Sequence, residues 1–458
     1  MNHQRIHRAV KLVSASTLML GMLSWGVGLA SSASATTATP GVTAKSVTIG
    51  ATVPLSGIAA GYGEVSAAAA AVFSYVNSKG GINGRKINYL RKDDCYNINA
   101  LGCTAGTGVT TLSQTQALVT QSHVFADVGS LGTAAQGTVL NYLNQNGVPN
   151  LFVNSGSSLW NQPKKYKGLF GFQPSYQAES KVFAYWIKKN EPLAVVGQIG
   201  QGDDFGANGL AGLLAAHLPI AKANQLTYDA NVTSPTLAAG LIQDISTLKA
   251  NKVNAVVLDS IPPVTQAILK IAYNLGYSPQ WLISSVGADP ISVATPLEVG
   301  AITLDYFPST ADTANSWNQW VTKVIKRFPA ARADFPNYFT GANAGVLDAN
   351  MLYGASYAVA FCEALKSLGK NVTRAGLLKA MTTVRFATPS QTPLRYSATK
   401  HQGLLGGSLA QIIANTNPAS NPQYIKLLGN AEYTTVDTST TPVITAAPIV
   451  SPIPGWLS

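Results

Sequence analysis

The sequence predicts an α/β protein of two lobes, each built on a mostly parallel sheet. Two observations lead there. Short runs rich in Val, Ile and Leu alternate with helix-length segments along most of the chain, the pattern of strands joined by helical crossovers. That alternation runs once from Val47 to Val153 and starts again after Tyr176. The right-handed crossover rule then makes neighbouring strands parallel within each set. A chain of 458 residues has room for two such units.

The N-terminus stands apart from this pattern. Arg5, Arg8 and Lys11 precede an apolar run around Leu18–Leu23, and small residues follow as far as Ala33-Ser34-Ala35. Basic region, apolar core and A-x-A site in that order describe an export signal, removed after Ala35 (segment 1–35). No cysteine lies near the site for lipid attachment, and no later run approaches a membrane span. The mature protein is expected outside the cytoplasm, soluble, in the periplasm or at the cell surface. Subtracting the three signal cations from the formal +11 leaves +8. The remaining cations are scattered, with no basic stripe carrying interleaved aromatics, so no nucleic-acid partner is expected.

Taken in order, Val47–Val53 is read as a strand, followed by an alanine-rich helix to Asn77. Gly80-Gly-Ile-Asn-Gly84 breaks that helix before a strand over Arg85–Asp93. Cys95 and Cys103 lie in the next loop, and export favours a disulfide between them. Cys362, in an alanine-rich run, reads as a buried small hydrophobe. A helix near Val109–Thr120 leads to the central unit. That unit is a strand over Val124–Gly129, the turn Ser130–Thr133, a helix to Asn146 with Val139, Leu140 and Leu143 at helical spacing, and a strand over Val148–Val153. Asn154–Ser158 closes it.

The second set comprises a helix over Tyr176–Lys189 and strands at Leu193–Ile199, Gln225–Asp229, Val253–Asp259, Trp281–Ser284 and Ala301–Phe307. Helices lie at Phe205–His217, Leu237–Lys249 and Val264–Leu275. Three more helices follow at Asp312–Arg327, Ala342–Leu368 and Thr373–Met381. The middle one carries Tyr353, Tyr357 and Phe361 at spacing four, read as a core-facing stripe. The Thr/Pro-rich tail 434–458 lacks apolar periodicity and is expected to drape over the surface or stay loose.

Catalytic patterns fail on inspection. After the signal, His123, His217 and His401 are far apart and lack H-E-x-x-H spacing. Gly406-Gly-Ser408-Leu-Ala410 lacks the final glycine of a nucleophile elbow, and no histidine follows. Gly200-Gln-Gly202 precedes a helix, but Phe205 stands where the dinucleotide fingerprint needs glycine. Neither an enzyme, a cofactor nor a metal site is expected. The two turns of the central unit are the better candidates. In open α/β sheets ligands sit beyond the carboxyl ends of the strands. Both turns lie there, with hydroxyls and glycine-bared N–H groups suited to a carboxylate.

Seven segments carry a resemblance: Gly80-Gly-Ile-Asn-Gly-Arg-Lys-Ile87, Asp93-Asp94, Gly129-Ser-Leu-Gly-Thr133, Tyr142-Leu-Asn144, Val148-Pro149 with Leu151–Val153, Gly171-Phe-Gln-Pro-Ser-Tyr176 and Asp203-Asp-Phe-Gly206. In order and in register they resemble the type I periplasmic solute-binding proteins of ABC importers, in the branched-chain amino-acid (leucine/isoleucine/valine) receptor family. The resemblance implies two Rossmann-like lobes joined by a three-crossing hinge: 36–168 with 305–385, and 169–304 with 386–433. It implies a monomer that clamps one small carboxylate-bearing solute and serves an ABC permease. The same lobes could hold an aromatic or other non-amino acid, or act as a ligand sensor for a membrane receptor.

Carried over, the ligand-binding set is Ser56, Tyr62, Ser130, Leu131, Gly132, Thr133, Ser155, Gly156 and Ser157 on the first lobe. On the second it is Asp204, Phe205, Asp259, Ser260 and Ser285. Family members that bind amino acids place a carboxylate after the strand ending here at Ser284-Ser285, where this chain has Val286 and Gly287. Asp259, Asp204 or Asp289 would then receive a ligand ammonium, or the ligand has none.

Overall fold

The computed structural model describes residues 39–97, 102–106, 108–230, 234–289, 293, 295–328, 335–340, 344–414, 423–428, 432–434, 441–445 and 451–457. The expected export signal lies outside them. No helix among the described residues is long and apolar enough to cross a membrane.

The first sheet has the order β2-β1-β3-β4-β5, with β1 Ser46–Val53, β2 Lys86–Asp93, β3 Asp127–Val128, β4 Asn150–Val153 and β5 Leu169–Gly171. Every pair in it is parallel. Its core continues into α1 (Gly63–Ser78) and three late helices, α9 (Ser316–Arg327), α11 (Ala349–Ser367) and α12 (Arg374–Thr383). The stripe of Tyr353, Tyr357 and Phe361 is buried there, packed on Phe172 and Phe73.

The second sheet runs β14-β13-β11-β10-β9-β8-β6-β7, with β12 paired to β11. Its parallel half is β6 Val196–Gln201, β7 Gln225–Tyr228, β8 Ala255–Asp259, β9 Gln280–Ile283 and β10 Ile302–Asp305. Helices α5 (Tyr176–Asn190), α6 (Asp204–Ala215), α7 (Ser234–Ala250) and α8 (Pro262–Asn274) alternate with these strands. An antiparallel half follows: β11 Gly406–Ala414, β12 Gln423–Leu427, β13 Glu432–Thr434 and β14 Val443–Thr445. Two mostly parallel sheets with interleaved helices match the fold class read from the alternation of strands and helices.

Three details differ from the sequence reading. The helix expected up to Asn146 is two, α3 (Thr133–Gly137) and α4 (Leu140–Gln145). Gly137, Thr138 and Val139 are weak helix formers in succession, and the Thr138 hydroxyl bonds back to the Ala135 carbonyl at 2.7 Å. Strand β5 has three residues, too few for a periodic signal, and it completes the first sheet, so the chain leaves that lobe only after Gly171. The return near 386 is also later. Phe386, Leu394, Tyr396 and Leu404 are buried in the first lobe's core without regular secondary structure. The last crossing therefore falls just before Gly406.

The tail is anchored at its described parts. β13 and β14 extend the second sheet, whereas Leu457 is buried in the first lobe's core. The Trp317 indole donates to the Ser451 carbonyl at 2.6 Å, and the Tyr75 hydroxyl to the Leu457 carbonyl at 2.6 Å.

Candidate ligand-binding cleft

The carboxyl ends of both parallel sheets face one another across a cleft with about 820 Å³ of empty space, partly open to solvent. Several hydrogen bonds span the lobes. The Tyr62 hydroxyl donates to the Val286 carbonyl at 3.0 Å, Gln201 Nε2 to the Tyr96 hydroxyl at 3.3 Å, and Ser158 N to Asn208 Oδ1 at 2.9 Å. Ala349 N donates to Asp289 Oδ2 at 3.3 Å.

On the first lobe the cleft wall is Tyr62, Tyr96, Leu131, Gly132, Thr133 and Asn154. Gly132 has φ +112°, and a side chain there would press on Tyr96 at 3.1 Å and on Ala135 at 2.9 Å. The glycine thus lets the tyrosine lie over the turn. Tyr96 follows Cys95, whose disulfide with Cys103 is formed as expected. Both residues hold positive φ, 50° and 63°, which turns the chain back toward the cleft. Asp93 braces this corner by accepting from Leu55 N, Ser56 N and Cys95 N.

Thr133 is buried, with its hydroxyl 2.7 Å from Ser155 Oγ and 3.3 Å from the Tyr176 hydroxyl. Burial pushes the Tyr176 phenol up to about 12, so it stays a neutral donor at neutral pH. On the second lobe Phe205 lies against Tyr176, ring centroids 4.3 Å apart. Ser285, Val286, Ala288 and Asp289 continue the wall. Glu179 stands behind, its carboxyl pushed up to about 8 by burial, and accepts from Ser285 N at 2.7 Å.

Of the residues singled out from sequence, Tyr62, Leu131, Gly132, Thr133, Phe205 and Ser285 line the cleft. The others stand behind it or at its seam. Ser130 is fully buried, donating to Asp127 Oδ1 at 2.5 Å and accepting from Thr52 N. Ser56 is tied to Asp93 Oδ2 at 2.6 Å and to Thr104 N. Ser155 orients Thr133, and Gly156 packs beneath Tyr176. Ser157 caps a short turn and meets Asp204 at 3.5 Å across the lobe seam. Asp259 is buried and takes 2.6 Å from Gln198 Nε2, while the Ser260 hydroxyl pairs with Thr265.

Other lining residues escaped the sequence reading: Tyr96, Gln173, Tyr176, and Thr303 through Phe307. Tyr353, read as core, is core and wall together, its hydroxyl 3.1 Å from Gln173 Oε1. Tyr176 ends the segment Gly171–Tyr176 that carries the resemblance and could have been found there. Asp305 closes β10, a position where ligand groups gather. No Lys, Arg or His lines the cleft among the described residues, and no cluster of three or more metal-ligating side chains occurs among them.

Comparison with known proteins agrees with this architecture. A family profile described as periplasmic binding protein matches residues 46–417. No curated protein matches. A possible leucine/isoleucine/valine-binding protein from Rhodopirellula baltica is similar at 18% identity and TM-score 0.68, covering 84% of this chain and 98% of its own. A branched-chain amino acid ABC transporter protein from Thermus thermophilus with bound valine aligns at 15% identity and TM-score 0.64, over 90% of this chain and 98% of its own. An ABC transporter solute-binding protein from Rhodopseudomonas palustris in complex with 3,4-dihydroxybenzoic acid aligns at 15% identity and TM-score 0.63, over 89% and 99%. With two facing parallel sheets, a cleft at their carboxyl ends and a profile match over most of its length, the chain belongs to the periplasmic binding protein family, with the type I fold.

Proposed function

We propose that this protein is the extracytoplasmic solute-binding component of an ABC-type uptake system and captures a small amino acid between its lobes without altering it. The ligand carboxylate is received by the hydroxyls of Thr133 and Tyr176, held in place by Ser155. Its ammonium is received by Asp289 from the other lobe. One observation carries the choice of an amino acid over a simple carboxylic acid: Asp289 and the hydroxyl-bearing turn line the same cleft, and no cation lines it among the described residues. The aromatic lining would suit a benzoate-type acid, but such a ligand would add a negative charge beside Asp289 and Asp305 in a cleft that no Lys, Arg or His lines among the described residues.

Contacts to both lobes favour the closed arrangement, so ligand binding works as a population shift. Saturating ligand is expected to stabilise the protein by about 4 kcal/mol at a thousand-fold excess over Kd. A thermal-melt panel of valine, leucine, lysine, phenylalanine, benzoate and 3,4-dihydroxybenzoate tests this. A shift with the benzoates and none with any amino acid overturns the reading. Uptake of the identified solute by a deletion strain separates transport from sensing, since a sensor would leave uptake intact.

A further inference from the structure

Two carboxyl groups line the cleft, one more than the single ammonium of a neutral amino acid can pair. Asp305 is the last residue of β10, just before the chain crosses between lobes, and it lines the cleft together with Asp289. Its Oδ1 accepts from Phe307 N at 3.0 Å, a bond that aims the carboxyl without neutralising it. Thr303 lies two residues earlier on the same strand face and lines the cleft too. It is 1% exposed, and its hydroxyl has no hydrogen-bond partner among the described residues. A buried hydroxyl without a partner costs free energy, and a ligand donor would recover it.

The rings of Tyr306, Phe307 and Tyr353 stand beside this strand end, Tyr306 and Phe307 with centroids 4.8 Å apart. Aromatic faces next to a carboxylate are a surrounding that stabilises a cation on both counts. Once one ammonium has been matched to Asp289, the Asp305 carboxyl is left either as an uncompensated buried charge or protonated.

We propose that Asp305 and Thr303 form a second, cation-accepting subsite, so that the physiological ligand is an amino acid with a positively charged side chain. This rests on the amino-acid reading of the same cleft and adds the identity of the side chain. Burial, with Asp289 nearby, pushes the Asp305 carboxyl up to about 7. A bound cation lowers it again and releases the proton, so affinity for such a ligand rises with pH up to and through that value.

Calorimetry on the mature full-length protein with lysine, ornithine, valine, benzoate and cadaverine tests the proposal. Lysine or ornithine is expected to bind about 30-fold or more tighter than valine. Asp305→Asn is expected to remove most of that difference by weakening lysine and ornithine, with an unchanged circular dichroism spectrum showing that the ligand-free variant is folded. Valine binding as tightly as both basic amino acids overturns the second subsite and leaves the amino-acid reading standing. Cadaverine matching lysine supports the subsite and overturns the carboxylate role of Thr133 and Tyr176. Binding of benzoate alone overturns both.

Discussion

Thr133 shows how far the orientation of a cleft-lining side chain is set by its neighbours. Its hydroxyl sits between Ser155 and Tyr176, so the three are oriented before any ligand arrives. Thr133→Val removes the hydroxyl at nearly constant volume. It is expected to weaken ligand binding by about tenfold, the worth of one good hydrogen bond, read by calorimetry with an unchanged circular dichroism spectrum. Glu298 is a different residue-scale case. It is fully buried, and neither carboxyl oxygen has a partner among the described residues. Burial, with Asp289 adding to it, pushes its carboxyl from 4.5 up to about 9. The folded protein therefore keeps a proton that the unfolded chain releases, and stability falls as pH rises between those two values. Glu298→Gln is expected to flatten that slope and gain about 1–3 kcal/mol at pH 9, as read by urea denaturation across pH.

At the scale of elements, the contact between α1 and α11 decides the first lobe. Ala67, Ala68, Ala69 and Ala71 are fully buried on α1, and small side chains let the helix axes approach closely. Gly354 of α11 marks the tightest point, where a Cβ would stand 1.9 Å from the Val65 carbonyl oxygen. Alanine normally improves a helix by about 1 kcal/mol over glycine. Here overpacking reverses the sign, and Gly354→Ala is expected to cost about 1–3 kcal/mol. A lowered melting temperature in the ligand-free protein would show it, and an increase would refute the close packing.

At the scale of the molecule, the tail is an additional tie beyond the three crossings near 172–176, 305–307 and 404–406. It leaves the second sheet after β14, and its described end is pinned on the first lobe at Trp317 and Tyr75. Truncation after Thr445 removes buried Leu457 and the partly buried Ile453 and Trp456 that pack beside it. The expected loss is about 2–4 kcal/mol, comparable to deleting one large core side chain. Differential scanning calorimetry of the truncated chain checks it, and an unchanged melting temperature would mean that the tail packs without stabilising.

Periodicity alone was enough to read two α/β lobes, because strand and helix spacing are local properties of the chain. Seven ordered segments were enough to indicate the type I binding-protein resemblance. The turn Leu131–Thr133 could be named because ligand positions follow strand ends, whereas Tyr62, Phe205 and Ser285 came from the family resemblance. Which hydroxyls face the cleft was settled only by tertiary packing. Ser130 and Thr133 are alike in sequence, yet Asp127 and Thr52 claim Ser130 while Thr133 is left at the wall. Asp305, Tyr306 and Phe307 reach the cleft because β10 ends where the lobes meet, and that meeting point depends on contacts between residues hundreds of positions apart.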